Sequence, residues 1–243
     1  MANAQFERTA LLIGDSALDA LASSCVCVFG IGGVGGAVVD ALARAGVGAL
    51  DLVDSDVVEE SNINRQWVAR HSTLGRAKVE VAREMVLDIN PECSVRIHRC
   101  FYLPETAEQF DFASYDYIVD AVDTVTAKLN LIEEAHRAGS PIICAMGAGN
   151  KMDPTAFRIA DIYDTTICPL SKIIRKECRK RGIEALKVAY STEPAIWTNT
   201  PETPGSTPCV PPAMGLAIAA EVVRDLTACA SAPERPAHRP PTR

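Results

Sequence analysis

The sequence predicts an α/β protein built on a doubly wound, mostly parallel sheet, with a smaller strand–helix extension at its C-terminal end. Three observations predict it. An apolar run, Cys25-Val26-Cys27-Val28-Phe29, passes through Gly30-Ile31-Gly32-Gly33-Val34-Gly35-Gly36 into a helix-like stretch ending near Ala45. That order, strand then glycine turn then helix, offers bare backbone N–H groups and a helix N-terminus to a phosphate. Apolar runs then alternate with amphipathic stretches to about residue 150, as they do when helices cover both faces of a parallel sheet. Each run also ends in a polar or glycine-rich cluster, and loops at the carboxyl ends of such strands build the site. Together these make the core Rossmann-like.

The elements follow in order. An amphipathic stretch, Leu11 to Ala22, precedes strand one at Cys25–Phe29. Helix one covers Val34–Ala45 and stops at Gly46 and Gly48, a normal helix stop. Strand two, Ala49–Val53, ends in Asp54-Ser55-Asp56, and a polar loop runs from Glu59 to Gln66. A helix over Gly75–Ile89 ends at Asn90-Pro91. Strand three is Val95–Cys100, a short helix covers Glu105–Phe110, and strand four is Tyr117–Ala121. A helix over Thr126–Ala138 leads to strand five, Ile142–Ala145. Beyond 150 the pattern weakens: strands at Phe157–Ala160 and Leu186–Tyr190 bracket a helix at Leu170–Arg181, residues 191–212 form a long loop, and a last helix runs from Pro212 or Ala213 to Thr227. The expected organisation is an adenylation core at 1–150, a substrate-facing extension at 151–230 and a disordered, proline-rich tail at 231–243.

Composition narrows the class. At 243 residues, with 48% hydrophobic and 23% charged residues, the chain has enough apolar side chain for a globular core. A net charge of -7 argues against a general nucleic-acid binder, while leaving room for a local basic patch. The N-terminus lacks the pattern of a signal peptide, and the apolar run Ala213–Ala220 is too short to span a bilayer. The nine cysteines include no C-x-x-C pair. They read mostly as small buried hydrophobes in a reducing cytoplasm.

The chemistry sits at the strand ends. Asp54 lies 24 positions after Gly30, where a carboxylate accepts ribose hydroxyls. In the loop Ser61-Asn62-Ile63-Asn64-Arg65-Gln66, Arg65 supplies a permanently charged fork for phosphate oxygens. Asn62 and Gln66 can hydrogen-bond the same polyphosphate or its metal, and Lys78 is a second cation. Fixed cations lower the barrier to pyrophosphate departure, so this pair points to a triphosphate reaction rather than hydride transfer. Asp123, after strand four, suits Mg²⁺ held between a carboxylate and phosphates, or a helix N-cap. Asp120 reads as a cap of the next helix.

The set Gly30-x-Gly32-Gly33-Val34-Gly35, Asp54-x-Asp56, Asn62-x-Asn64-Arg65-Gln66, Lys78 and Asp120-x-x-Asp123 resembles the ThiF/MoeB/HesA superfamily, which includes the ubiquitin-activating enzymes. The resemblance covers roughly residues 6–150 and implies adenylation of a carboxylate with ATP and Mg²⁺. By this resemblance Gly32, Gly33 and Gly35 approach the phosphates and Asp54 holds the ribose. Asn62, Arg65, Gln66 and Lys78 bind the triphosphate, and Asp123 ligates Mg²⁺. Arg8, in Phe6-Glu7-Arg8-Thr9, is similar to the arginine that such homodimers lend to the partner's ATP.

Two acceptors compete. One is the C-terminal Gly-Gly of a ubiquitin-like sulfur carrier. The other is the threonine carboxylate of threonylcarbamoyladenosine-37 in tRNA, which one branch of the superfamily cyclises with loss of water. The missing C-x-x-C pairs, the segment Met146 to Thr155 with its Asp153-Pro154-Thr155, Asp161-Ile162-Tyr163, Pro208 to Gly215 and the short chain resemble that tRNA branch. Lys172, Arg175, Lys176 and Arg179 fall at i, i+3, i+4 and i+7, a basic stripe opposite Leu170, Ile173, Ile174 and Cys178. The stripe reads either as a phosphate-backbone contact or as a solvated helix face. Cys168 and Cys209 are the candidates for a reactive thiolate. Ring closure within the substrate needs none, so both read as structural. The loop 191–210 is placed over the substrate, with Trp197 a base-stacking or core residue.

Overall fold

The computed structural model describes residues 4–196 and 203–228. Trp197, Cys229 and the 231–243 tail lie outside the described residues.

Seven strands form one sheet, in the order β3-β2-β1-β4-β5-β7-β6. They are β1 Cys25–Phe29, β2 Ala49–Val53, β3 Ser94–His98, β4 Tyr117–Asp120, β5 Ile142–Ala145, β6 Phe157–Asp161 and β7 Lys187–Ser191. All pairings are parallel except β6 with β7. The two late strands therefore extend the same sheet, β7 beside β5. The helices are α1 Glu7–Ile13, α2 Asp15–Ser23, α3 Gly35–Ala45, α4 Lys78–Ile89, α5 Val125–Ala138, α6 Pro169–Lys180 and α7 Val210–Thr227.

Period-two alternation splits each central strand between two cores. Val26 and Val28 face Leu21, Val38, Leu42, Val86, Met214 and Ile218 of α2, α3, α4 and α7. Cys27 and Phe29 face Ala127 and Leu131 of α5 and the aromatic group Tyr102, Phe110, Phe112 and Tyr115. A third cluster joins Ile174 and Cys178 of α6 to Cys144 of β5 and Val188 and Tyr190 of β7.

Several boundaries differ from expectation for local reasons. The first amphipathic stretch is two helices, broken at Gly14 with φ +86°. The helix placed at 75–89 starts only at Lys78. Gly75 has φ +77°, and residues 75–77 instead pair with Val57 and Val58 through Val58 N–H to Arg76 O, Gly75 N–H to Val58 O and a Val57–Ala77 bridge. Strand three ends at His98, releasing Cys100 and Phe101 toward the site. Helix α7 begins at Val210 because Pro211 and Pro212 lie in its first turn, where a missing N–H costs no helical bond.

Candidate active site

The strand order reverses direction between β1 and β4. A cleft of about 380 Å³ opens there, at the carboxyl ends of the strands. The turn after β1 supplies its floor. Gly30 has φ +88°, and a Cβ on it would lie 2.7 Å from Ala121 O, so only glycine fits. Gly32 faces open space, its closest neighbour being Gln66 Nε2 at 3.9 Å from a Cβ position. Gly33 is pressed between Pro211 and Arg65 O. No side chain caps the N-terminus of α3, which leaves its first N–H groups to a ligand. Gly35 departs from expectation: it does not line the cleft, and a Cβ there would collide with Gly30 O. Its role is close packing of helix on strand.

Asp54 bonds back to the glycine turn. Its Oδ2 accepts the Ile31 N–H at 2.6 Å and its Oδ1 the Asp56 N–H at 2.8 Å. Each oxygen keeps lone-pair capacity for a ribose hydroxyl. Burial raises the Asp54 carboxyl above its ordinary value, against the lowering effect of those two N–H groups and Lys78. Lys78, the first residue of α4, is only 6% exposed in its side chain and pairs with Asp56 Oδ2 at 2.8 Å, whereas Asp56 is 60% exposed.

The loop before residue 67 delivers the rest. Arg65 Nη1 donates to Ser61 O and Asn64 Oδ1, both at 2.8 Å, leaving Nε and Nη2 without a partner among the described residues. Asn62 is partly committed elsewhere: its Oδ1 accepts the Glu59 N–H at 3.1 Å and its Nδ2 donates to Ser61 Oγ at 3.4 Å, so one amide hydrogen is left for a phosphate. Gln66 is buried, and its Oε1 has no hydrogen-bond partner among the described residues. A buried acceptor without a donor is costly, and a nucleotide hydroxyl in the cleft would relieve it. Asp123 is exposed and lines the cleft from the β4 end. It is not a helix cap, since Thr124 holds that place, and Asp120 is not one either. Asp120 is fully buried against Lys128 Nζ at 2.6 Å, with Lys128 also donating to Ala145 O.

Arg8 is exposed on α1 and does not line its own chain's cleft, in keeping with a residue expected to serve a partner's site. The α6 stripe and the cysteines differ more from expectation. The stripe on α6 is not four equivalent cations. Lys172, Lys176 and Arg179 are exposed. Arg175 is half-buried, with Nη1 bonded to Thr165 O at 2.6 Å and Thr165 Oγ1 at 2.8 Å. Arg179 lies 5.2 Å above the Tyr163 ring. Ile173, placed on the apolar face, is 47% exposed. Among the described cysteines, Cys27, Cys93, Cys144, Cys168 and Cys178 are buried, all eight are free thiols, and Cys209 is exposed. Burial acts to raise the Cys168 thiol. The amides of Ser171, Gly147 and Leu170 around the sulfur outweigh it and hold the thiol below its ordinary value. Sequence reasoning also missed the apolar wall of the cleft, Val53, Phe101 and Tyr102. The one clue was their place at or just beyond the ends of β2 and β3.

A cleft at the reversal point of a parallel sheet, lined by a glycine turn, two cations and a carboxylate, defines the nucleotide-binding class of α/β protein. The ThiF family model matches residues 6–240, and the chain belongs to that family. The tRNA threonylcarbamoyladenosine dehydratase of Bacillus subtilis (strain 168) is 46% identical over 193 residues, covering 79% of this chain and 76% of that protein. The Escherichia coli (strain K12) dehydratase is 36% identical over 207 residues, covering 82% and 77%. The crystal structure of the E. coli enzyme in complex with ATP superposes with a TM-score of 0.87 at 33% identity, covering 92% of this chain and 94% of that one. The probable adenylyltransferase/sulfurtransferase MoeZ of Mycobacterium tuberculosis is 37% identical over 136 residues, covering 55% of this chain and 34% of its own length.

Proposed function

We propose that the protein is an ATP-dependent enzyme that activates the threonine carboxylate of threonylcarbamoyladenosine-37 in tRNA and closes it into a ring with net loss of water. The carboxylate oxygen attacks the α-phosphorus of ATP and pyrophosphate leaves. The ureido nitrogen then attacks the activated carbonyl carbon, AMP leaves, and that nitrogen gives up its proton. One observation carries the reading: Arg65, Lys78 and Asp123, far apart in sequence, line one cleft with the open face of Gly32. The dehydratases also match about four-fifths of the chain, whereas the sulfur-transfer relative matches about half.

Each residue has a part. Gly32 and the N-terminus of α3 receive phosphate oxygens, Asp54 and Gln66 the ribose, and Arg65 and Lys78 the charge that grows on the leaving pyrophosphate. In the structure Lys78 is neutralised by Asp56. ATP would compete for its Nζ, and the exposed Asp56 carboxylate would turn to solvent. The cleft fits Mg²⁺ as an ion held by one carboxylate and by phosphates rather than by a protein cage, since among the described residues Asp123 has no cationic partner and accepts only from Thr124 Oγ1. When bound, the ion would neutralise phosphate charge and orient the triphosphate. The described residues of the 151–230 extension make the substrate-facing side, with Lys172, Lys176 and Arg179 against the tRNA backbone. Arg8 completes the partner's site in a homodimer. Leu11 and Leu12, 81% and 80% exposed on the same helix, are apolar surface for that contact to cover. The setting is a reducing cytoplasm.

Mass spectrometry of nucleosides after incubating enzyme, ATP, Mg²⁺ and the modified tRNA tests the reading. A nucleoside lighter by one water supports it. Unchanged tRNA, with adenylation of a Gly-Gly-ended carrier instead, would assign the chain to the other acceptor.

A further inference from the structure

The turn after β5 is fastened to both described parts of the connection between β7 and α7. On one side the Glu193 carboxylate accepts the N–H groups of Met152 and Asp153, the latter at 3.0 Å, and Lys151 Nζ donates to Glu193 O. Asn150 holds both sides. Its φ of +58° lies in the left-handed region, which asparagine tolerates better than most residues. In that conformation its N–H donates to Gly205 O at 2.8 Å, its Oδ1 accepts the Gly205 N–H at 2.6 Å, and its carbonyl accepts the Ile196 N–H at 2.7 Å. Pro204 covers the adjacent Gly149, where a Cβ would lie 2.6 Å from Pro204 Cβ.

From Gly205 the cleft is a few bonds away. The Ser206 carbonyl accepts from Asn64 Nδ2 at 3.2 Å, and Asn64 Oδ1 accepts from Arg65 Nη1 at 2.8 Å. Asn64 thus spans the strap and the guanidinium, using its donor on one and its acceptor on the other. Further along the same segment, Pro211 forms the cleft wall beside Gly33. The β5 turn thus reaches Arg65 only through Gly205, Ser206 and Asn64, while Ser61 O holds the same Nη1 from within the loop.

We propose that Asn150 is a positioning residue for the activation step: it clasps segment 203–206, and through Ser206 and Asn64 that segment sets the Arg65 guanidinium in the cleft. The inference rests on the reading of Arg65 as a triphosphate ligand. A small displacement of a charged group at a reacting centre is enough to slow chemistry, since about 1 Å of misplacement costs up to roughly 100-fold.

Two variants of the full chain isolate the side-chain acceptor. Asn150→Gly keeps the left-handed backbone without steric cost and removes Oδ1. Asn150→Asp keeps an acceptor at that place in a residue that also visits the region. Each is compared with the unaltered protein by hydrogen exchange over 203–206 and 61–66, by ATP affinity from calorimetry, and by the rate of AMP formation on the modified tRNA. Asn150→Gly is expected to exchange faster in both segments, to bind ATP about threefold or more weakly and to lose about tenfold in kcat, with KM for tRNA within about twofold. Asn150→Asp is expected to recover all three. The proposal is overturned if Asn150→Gly keeps full kcat, if faster exchange stays within 203–206, or if Asn150→Asp is as impaired as Asn150→Gly. Should the unaltered protein form no AMP on tRNA, the acceptor assignment fails separately. Exchange and ATP affinity then decide the clasp: loss in Asn150→Gly restored in Asn150→Asp upholds it, and ATP affinity equal in all three proteins contradicts it.

Discussion

Two lysine–aspartate pairs stand near the strand ends that bound the cleft, one at the end of β4 and one after β2, and they differ in what surrounds them. Lys128 and Asp120 are fully buried beneath the β4 and β5 strand ends, and Lys128 also ties down Ala145 O. Lys78 and Asp56 stand on the cleft wall, the lysine buried and the acid 60% exposed. The first pair is closed: every charge is matched and water is excluded, so loss of one partner strands the other in a low dielectric. The second is open on the acid's side, where water solvates the carboxylate. The same two residue types therefore make a brace in the interior and, on the proposed function, a pair whose aspartate an incoming anion would replace.

Breaking the brace should have the largest effect on stability. Lys128→Met leaves Asp120 buried and unpaired and should cost about 3–5 kcal/mol in urea unfolding. Adding Asp120→Asn should return part of that loss. A cost below about 1 kcal/mol would place the pair with surface ion pairs and erase the contrast. Lys78→Met should show the reverse profile, with unfolding changed by about 1 kcal/mol or less because Asp56 stays solvated, while ATP-dependent turnover falls by about 10²–10³. Equal losses of stability in the two lysine variants would mean that the cleft pair is also structural.

The comparison also marks how far the sequence could be read. The glycine turn, Asp54, the Arg65 loop and Asp123 were legible because each sits at the end of an apolar run with its own chemistry attached. The burial of Asp120 was not, because a D-x-x-D spacing does not say which acid faces the interior; that depends on Lys128, eight residues on and one helix away. Gly35 misled for a similar reason. Glycines that open onto a ligand and glycines that admit a neighbouring backbone look alike in sequence, and only the Gly30 carbonyl packed against Gly35 separates them. On α6 the periodicity located the stripe correctly, but Arg175 folds inward onto Thr165, a partner supplied by a preceding loop. Asn64 and Asn150 both stand within the quoted motifs, but nothing there tied them to segment 203–206, since their partners lie 142 and 55 residues away.

Two smaller effects sharpen the contrast between charges that are committed and charges that are free. Lys172→Glu with Lys176→Glu should weaken tRNA binding and reduce the salt slope by about one per lysine, leaving ATP affinity unchanged. A slope equal to that of the unaltered protein would make the stripe ordinary surface. Asp225 of α7 is the mildest case. Burial acts to raise its carboxyl, but hydrogen bonds from Lys187 Nζ and Tyr117 OH outweigh it and hold it below the usual value. A depressed carboxyl contributes stability above its unfolded value and loses it as pH falls through the folded one. Asp225→Asn should therefore lower Tm at neutral pH, and the difference should fade in acid. A difference that persists below the depressed value would show that the effect is not electrostatic.

The central claim is that Arg65 and Asp123 face one triphosphate across the cleft. Exchange of labelled pyrophosphate into ATP, dependent on the modified tRNA, tests it most directly in Arg65→Ala and Asp123→Ala. The account predicts that each variant loses about 100-fold or more of the exchange while keeping its fold; exchange at the unaltered rate in either would contradict it.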